Sequence, residues 1–594
     1  MNLFRKIRES IKLLIWDYIP LVKSVLGKLS LLISAITIGV IIYYHGFPQT
    51  VFSSQICSYV IQISLLFFSF KYCALAFFNV HTFRYIRSHK FEGLIVFGIL
   101  FWFTMTYICK FNLMEYFFDV HDSRHISEIM LILVQLYFFL TIFIEISHIG
   151  DFLGKIKIKP GGLLVLSFLI LISIGTLLLM MPEMTVSGIS FIDAVFTSTS
   201  ACCVTGLTSV DTATVFTSKG WFVLMLLIQL GGINIICFAS FLSNFYSGGS
   251  LRYQSVLKEM LDTSLEGTRS FTLEIVSFTF GFELIGFLLL FVYLNMTGDY
   301  SASWLDNAFL SAFHAISSFN NAGFSFLPNA MMHSLILNSY YIQTVTILLI
   351  VSGGIGFLTI HDLVFSIYKR RKWHNLHTTT RVVLKMTGIL IAIGAVSFFI
   401  LEYNNVCKGM NLVDRIYASV FSSITCRTAG YNTVDFGAIH ISTLLLIVVF
   451  MVIGAAPGST GGGIKVTTFY LLLKAAVATI TGKQQVTMCN RAIPFNVVNK
   501  AYATLLFAIA VIFIGTFILT LTEPFDLEDI LFEVASAFGT TGLSAGITPY
   551  LSVFAKSIII TIMYLGRITV LTFAFSITRR AFARYSLART DMGI

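Results

Sequence analysis

Thr197-Ser-Thr-Ser-Ala-Cys-Cys-Val-Thr-Gly-Leu207 is a short polar run that ends in glycine and sits between two long apolar segments. Alone it reads as any Ser/Thr-rich loop. It decides the fold because the same kind of run returns three times. The others are Phe313-His-Ala-Ile-Ser-Ser-Phe-Asn-Asn-Ala-Gly-Phe324, Phe421-Ser-Ser-Ile-Thr-Cys-Arg-Thr-Ala-Gly-Tyr431 and Phe532-Glu-Val-Ala-Ser-Ala-Phe-Gly-Thr-Thr-Gly-Leu543. Gly206, Gly323, Gly430 and Gly542 lie 117, 107 and 112 residues apart, by subtraction. Four copies in phase predict four turns that face one axis.

The surrounding composition says where that axis lies. Of 594 residues, 56% are hydrophobic and 11% charged, with mean hydropathy +0.86. Soluble domains carry about 25% charged residues, so the chain is an integral membrane protein. Apolar stretches of about 20 residues recur, which means helices rather than a barrel. The net charge of +10 is no nucleic-acid signal. Its basic residues cluster in short connections between apolar spans, as the positive-inside rule expects. Nine cysteines without CxxC spacing read as small hydrophobes, with no metal or disulfide framework.

Residues 1–28 read as a cytoplasmic or interfacial amphipathic lead-in, because the apolar run after Arg5-Lys-Ile-Arg8 is broken by Asp17, Pro20 and Lys23. An extension over 29–155 holds four spans, near 29–45, 56–80, 92–109 and 129–148. Nothing polar in them is buried at an interpretable spacing. From Gly161 the chain repeats a pattern of apolar span, shorter semi-polar segment, glycine turn and apolar span. Unit one (160–248) uses 162–182, 190–203 and 219–243, and unit two (249–370) uses 271–297, 304–319 and 339–367. Unit three (371–485) uses 383–402, 412–425 and 439–480, and unit four (486–594) uses 501–522, 526–538 and 553–578. The basic residues fall between units, as in Lys369-Arg-Arg-Lys372, Lys483, Arg491 and Arg579-Arg580. Each unit therefore dips from the outer face and returns, with both termini in the cytoplasm of a multi-pass plasma-membrane protein.

The segment before each glycine is too short to span and suits a re-entrant helix. Asp193, Asp306, Asp414, and Asp526 or Asp529 stand at its start, where an acid complements the helix dipole whether or not it has another role. The partly negative C-terminal end then points to mid-membrane and favours a cation. A cation there must exchange water for other oxygens, which backbone carbonyls supply without charge. Stacked carbonyls need backbone angles that glycine tolerates. The candidate lining residues are Cys203, Val204, Thr205 and Gly206; Asn320, Asn321, Ala322 and Gly323; Arg427, Thr428, Ala429 and Gly430; and Gly539, Thr540, Thr541 and Gly542. No carboxylate stands in the turns, which suits a monovalent ion. Arg427 is the awkward charge, and is expected to pair with an acid behind the turn, with direct repulsion of the ion as the alternative.

A second feature interrupts the last span of unit three: Gly454-Ala-Ala-Pro-Gly-Ser-Thr-Gly-Gly-Gly-Ile-Lys465. Such a run does not stay helical. It is no phosphate loop either, because Ile464 separates glycine from lysine and no strand precedes it. We expect a flexible intramembrane loop able to close the path, through Gly454, Pro457, Gly458, Ser459, Thr460, Gly461, Gly462, Gly463 and Lys465; a simple kink is the alternative. Arg567 stands mid-span in Leu565-Gly-Arg-Ile-Thr-Val570, where a charge is expensive. It is either a barrier to cations or a structural partner of Glu533 or Glu283. Enzyme chemistry built on His314 or Cys202/Cys203 finds no triad, no His-Glu-x-x-His and no paired aspartates.

From about residue 160 onward the chain resembles the Trk/Ktr/HKT superfamily of potassium-uptake proteins, closest to the membrane subunit of the bacterial Trk and Ktr systems. The motifs are Val204-Thr-Gly-Leu with Val210-Asp-Thr-Ala213, Phe319-Asn-Asn-Ala-Gly-Phe324, Arg427-Thr-Ala-Gly-Tyr-Asn-Thr433, Pro457-Gly-Ser-Thr-Gly-Gly-Gly-Ile-Lys465, Ser536-Ala-Phe-Gly-Thr-Thr-Gly-Leu543 and Gly566-Arg567. The resemblance implies an all-α membrane protein with four helix–pore loop–helix repeats around one pore. It implies potassium selection by the four glycines, with sodium or sodium-stimulated transport as the alternative, and gating by the 454–465 loop and Arg567. It also implies no cofactor, a homodimer, and a cytosolic ring of nucleotide-binding regulatory subunits. Departures are Cys426 where proline is common, Ala455-Ala456 before Pro457, and the four N-terminal spans.

Overall fold

The computed structural model describes residues 19–79, 82–88, scattered positions between 93 and 104, and then 160–233, 268–369, 375–489 and 491–568. The expected span at 129–148, most of that at 92–109, the end of unit one's second span, the basic residues 370–372 and both termini lie outside the described residues. The chain divides into two compact units, Met1–Leu153 and Gly154–Ile594.

The first unit contributes α1 (Ile19–Gly46) and α2 (Val51–Phe78). The described part of α1 starts at Ile19, so residues 19–28 of the expected lead-in belong to the first span. Thr50 and Ser53 form a capping box that starts α2. Ile61, Leu65 and Phe68 pack against Ile33, Val40 and Ile41. The spacing in sequence left the polar residues here without a reading, and the structure pairs several of them. Thr37 Oγ1 donates to Ser64 Oγ at 2.8 Å, and Lys71 Nζ to Ser30 Oγ at 2.7 Å. In lipid a hydroxyl without a partner is costly, so these pairs fix which faces of the two helices meet.

The second unit carries the repeats. Unit one has α3 (Pro160–Leu179), α4 (Phe191–Cys203) and α5 (Ser218–Ile233). Unit two has α6 (Thr268–Thr297), α7 (Trp304–Phe319), α8 (Tyr340–Gly354) and α9 (Phe357–Tyr368). Unit three has α10 (Thr378–Leu401), α11 (Leu412–Thr425), α12 (Ile441–Val452) and α13 (Val466–Ile480). Unit four has α14 (Phe495–Thr522), α15 (Leu527–Gly539) and α16 (Val553–Ile568). Among the described residues five helices are long and apolar enough to cross a membrane, and the α8–α9 pair makes a sixth if counted as one span. That pair is bent by 101°, where the sequence reading gave one continuous span over 339–367. Gly356, at φ +84°, permits the break. A two-residue hairpin, Thr487–Met488 with Arg491–Ala492, departs from the all-α expectation in the connection between α13 and α14.

Each short helix starts as its residues dictate. Ser190 caps α4 by accepting from the Asp193 N–H at 3.2 Å. Asp306, Asp414, and Glu528 with Asp529 occupy the first turns of α7, α11 and α15. Two of these acids also close seams between units. Lys556 on α16 binds Asp193 at 2.8 Å, and the Tyr340 hydroxyl on α8 donates to Asp414 at 2.5 Å. Trp221 on α5 stacks on Phe326 of unit two at 4.6 Å. The apolar core continues around the same circuit, since Phe196 and Leu207 of unit one pack with Ile559, Ile562 and Met563 of unit four.

Glu402 shows how a unit's two long helices are tied at one end. It ends α10 fully buried and accepts from the His440 N–H at 3.0 Å and the Thr443 hydroxyl at 2.5 Å, at the start of α12. Glu402→Ala strands both donors, which costs about 1–3 kcal/mol. The expected result is a thermal midpoint several degrees lower in detergent, with Glu402→Gln falling less. An unchanged midpoint in the alanine variant contradicts this assignment.

Candidate functional site

The four glycine turns meet in a closed ring. A Cβ built on Gly206 would lie 2.5 Å from the Ala322 carbonyl oxygen and 3.2 Å from Gly323 Cα. One on Gly323 would lie 2.6 Å from the Ala429 oxygen and 3.1 Å from Gly430 Cα. Gly430 meets the Thr541 carbonyl and Gly542 in the same way, and Gly542 meets the Thr205 carbonyl and Gly206. The order is one, two, three, four and back to one. Each glycine is required twice, by this contact and by a positive φ of 91°, 70°, 74° and 89° in turn.

The residue two before each glycine also has positive φ: Val204 at 57°, Asn321 at 59°, Thr428 at 74° and Thr540 at 49°. The residue between them does not. Alternating hand along a strand brings successive carbonyls to one side. For β-branched Val204, Thr428 and Thr540 that hand is strained, and strain of this kind persists only where surroundings enforce it.

The enforcement comes from hydroxyls that the sequence reading missed. The N–H following each strained residue turns back into its short helix: Thr205 N–H to Ser200 O at 2.8 Å, Ala322 to Ser317 at 2.8 Å, Ala429 to Thr425 at 3.0 Å, Thr541 to Ser536 at 2.9 Å. The side chains of those four acceptors bind the turn again. Ser200 and Ser536 accept from the N–H of Gly206 and Gly542 at 3.0 and 3.1 Å. Ser317 and Thr425 donate to the carbonyls of Phe324 and Tyr431 at 2.8 and 2.6 Å. The signal was available, because a hydroxyl stands six, six, five and six residues before the four glycines. Between units two and three, Asn321 shares a 3.3 Å hydrogen bond with Thr428 Oγ1, and the buried Tyr431 hydroxyl reaches the Phe324 carbonyl at 3.4 Å.

The interruption in unit three is a loop that packs directly on the turns. The Gly462 N–H donates to Thr540 Oγ1 at 2.9 Å, and a Cβ on Gly461 would collide with Thr428 Oγ1. Gly454 pairs with Ile464 across the loop's neck at 2.9 Å. Pro457 and Gly458 meet the break in unit two, where the Phe357 N–H donates to Gly458 O at 3.0 Å. The Ser459 hydroxyl donates to Ala456 O at 2.6 Å, and Lys465 Nζ to Gly461 O at 2.7 Å. A kink alone does not make these contacts.

Arg567 joins three units. Its guanidinium donates to Thr460 O in the loop and to Gly231 O on α5 at 2.5 Å, and lies 5.8 Å from the Phe168 ring. Neither acid proposed from sequence pairs with it among the described residues. Glu533 is taken by Ser544, Thr548 and the Ala545 N–H, and Glu283 by Gln229 and Asn320. The expected acid for Arg427 is likewise missing among the described residues; its contact is the Thr387 carbonyl at 3.5 Å. Cys203 is fully buried beside Val204, and the described cysteines, Cys202 included, are free thiols. Gly539 ends α15 against the Met451 carbonyl, where a side chain would not fit.

Comparison with known proteins matches this architecture. The profile of the TrkH family, described as a cation transport protein, covers residues 162–582. The Ktr system potassium uptake protein B of Bacillus subtilis (strain 168) is 38% identical over 71% of this chain and 94% of its own. The protein of that name from Vibrio alginolyticus is 36% identical over 72% of this chain and 93% of its own. The potassium/sodium uptake protein NtpJ of Enterococcus hirae is 36% identical over 72% and 94%. The crystal structure of the potassium transporter TrkH from Vibrio parahaemolyticus shares the fold at TM-score 0.57 and 20% identity, covering 87% of this chain and 97% of that one. These are transporters rather than enzymes, so the enzyme alternative falls away. The chain belongs to the TrkH family of cation transport proteins.

Proposed function

We propose that the protein takes up potassium across the cytoplasmic membrane through a pore at the centre of the four units, with the ring of glycine turns as its selectivity filter. The observation that carries this is the closure of the ring, each glycine seated against the carbonyl of the next turn. Irregular backbone at membrane depth is tolerated where it lines a cavity or is buried in protein, and carbonyls there replace the hydration of a passing cation. The carbonyls of Thr205, Ala322, Ala429 and Thr541 are the ones the ring brings together. The short helices α4, α7, α11 and α15 add the negative ends of their dipoles. Sodium is the second reading, favoured by the relative named for both ions.

Residues 454–465 form the gate in this reading, and Arg567 holds it shut. The guanidinium grips the loop through Thr460 and places a positive charge where a cation must pass. Lys465 adds a second charge to the same loop. The pore-loop units, homodimeric assembly and a cytosolic nucleotide-binding ring follow the resemblance, and two relatives are named as parts of a Ktr system. The N-terminal unit has no role in ion passage in this account.

Two outcomes test the reading. Expressed in a bacterium without its own potassium uptake, the protein restores growth at low potassium, and Gly542→Ala lowers rubidium uptake at least about tenfold, because alanine meets both the left-handed backbone and the Thr205 carbonyl. Unchanged rubidium and sodium uptake in that variant contradicts the filter. Arg567→Gln releases the loop and raises cation flux into proteoliposomes, by about tenfold if one charged hydrogen bond of closure is lost; a flux equal to or below the parent's contradicts the gate.

A further inference from the structure

Glu283 lies within α6, outside every glycine motif, and is buried with its carboxylate fully engaged. Gln229 Nε2, on α5 of unit one, donates to Oε2 at 2.9 Å. Asn320 Nδ2, at the end of α7, donates to Oε1 at 2.9 Å and to Gln229 Oε1 at 3.1 Å. Three polar side chains from three helices thus close one small network. Gly232 makes room for it, since a Cβ there would collide with Asn320 Oδ1.

The network meets the site at a sensitive place. Asn320 immediately precedes Asn321, where the backbone turns left-handed, and Ala322, whose carbonyl seats Gly206. Gln229 is two residues before Gly231, whose carbonyl accepts from Arg567. A carboxyl at membrane depth is costly, and no other turn has one on the residue three before its glycine; Glu533 of unit four instead holds Ser544, Ala545 and Thr548, past Gly542. The residues corresponding to Asn320 are Cys203, Arg427 and Gly539, and no carboxylate binds any of them among the described residues. The cost is therefore incurred for something particular to the junction of units one and two.

We propose that Glu283 is a positioning residue for ion selection, which through Asn320 fixes the second glycine turn against α5 of unit one. It touches no ion. It sets where the Ala322 carbonyl stands relative to Gly206, and so the width of one side of the ring. Discrimination between cations of different size depends on the number and spacing of such carbonyls. This inference rests on the filter reading above.

The test is the ratio of sodium to rubidium uptake by the full-length protein in cells lacking other potassium uptake, at matched membrane abundance. Glu283→Ala raises that ratio by about tenfold, the size of one charged hydrogen bond lost at the turn. Asn320→Ala raises it similarly, and the double variant goes no further, because both act on one network. Glu283→Gln raises the ratio less than the alanine variant, since its amide oxygen can still accept from Asn320 while the bond to Gln229 is lost. A role confined to stability lowers both fluxes in proportion to folded protein and leaves the ratio unchanged, and that result overturns the proposal. If Glu283→Ala does not reach the membrane, Gln229→Leu decides: a raised ratio supports the proposal and an unchanged one overturns it. Gly323→Ser is the reference; if it moves the ratio and Glu283→Ala does not, this inference fails while the filter stands. If neither moves it, the filter reading falls and takes the inference with it.

Discussion

At each of the four glycine turns the space where a side chain would begin is occupied by the carbonyl group of the neighbouring repeat. Everything else follows from keeping those four contacts closed. The repeats cannot separate without opening the ring, so the seams between them are fastened with stronger chemistry than lipid-facing helices need: Lys556 with Asp193, Tyr340 with Asp414, Trp221 on Phe326. Nor can the turns relax toward ordinary backbone angles, because a hydroxyl in each short helix binds the turn after the strained residue. The arrangement resembles a ring of strained springs, each held by its own helix and by the next spring.

The four units are not equivalent, and their differences gather around the 454–465 loop. Units two and three both break their second long helix, at Gly354–Phe357 and at 453–465, and the two breaks bind one another through Ala456, Gly458 and Phe357. Arg567 comes from unit four and reaches across the loop to unit one. In the proposed account a moving loop therefore has stationary neighbours on all sides: the Thr428 and Thr540 side chains, the bent helix of unit two, and a guanidinium. A gate held by many modest hydrogen bonds can be released by a small difference in binding energy, which suits control from outside the pore.

The repeat was legible because spacing and chemistry coincide. Short semi-polar segments with acids at their starts became α4, α7, α11 and α15 at nearly the expected bounds, and the glycine-rich run interrupted its helix as glycine and proline demand. What escaped is what depends on partners far along the chain. The 101° bend in unit two follows from Gly356 meeting Pro457, about a hundred residues away in sequence. Arg567 was expected either to bar cations or to pair with an acid; its donors go to the carbonyls of Thr460 and Gly231, partners hundreds of residues or a whole unit away that spacing does not reveal. Glu283 looked like a possible partner for that arginine, and only three-dimensional proximity shows it serving Asn320. The bracing hydroxyls were visible at their fixed spacing, but a serine before a glycine carries little information until the turn's geometry gives it a task.

The central claim is that a dehydrated monovalent cation rests among the four turns. It is tested most directly by determining the structure of the full-length protein in thallium or rubidium and locating the anomalous scattering. The account predicts a peak inside the ring bounded by Thr205, Ala322, Ala429 and Thr541, fading when sodium replaces the heavy ion. Anomalous density elsewhere in the membrane region, with none inside the ring, would contradict it.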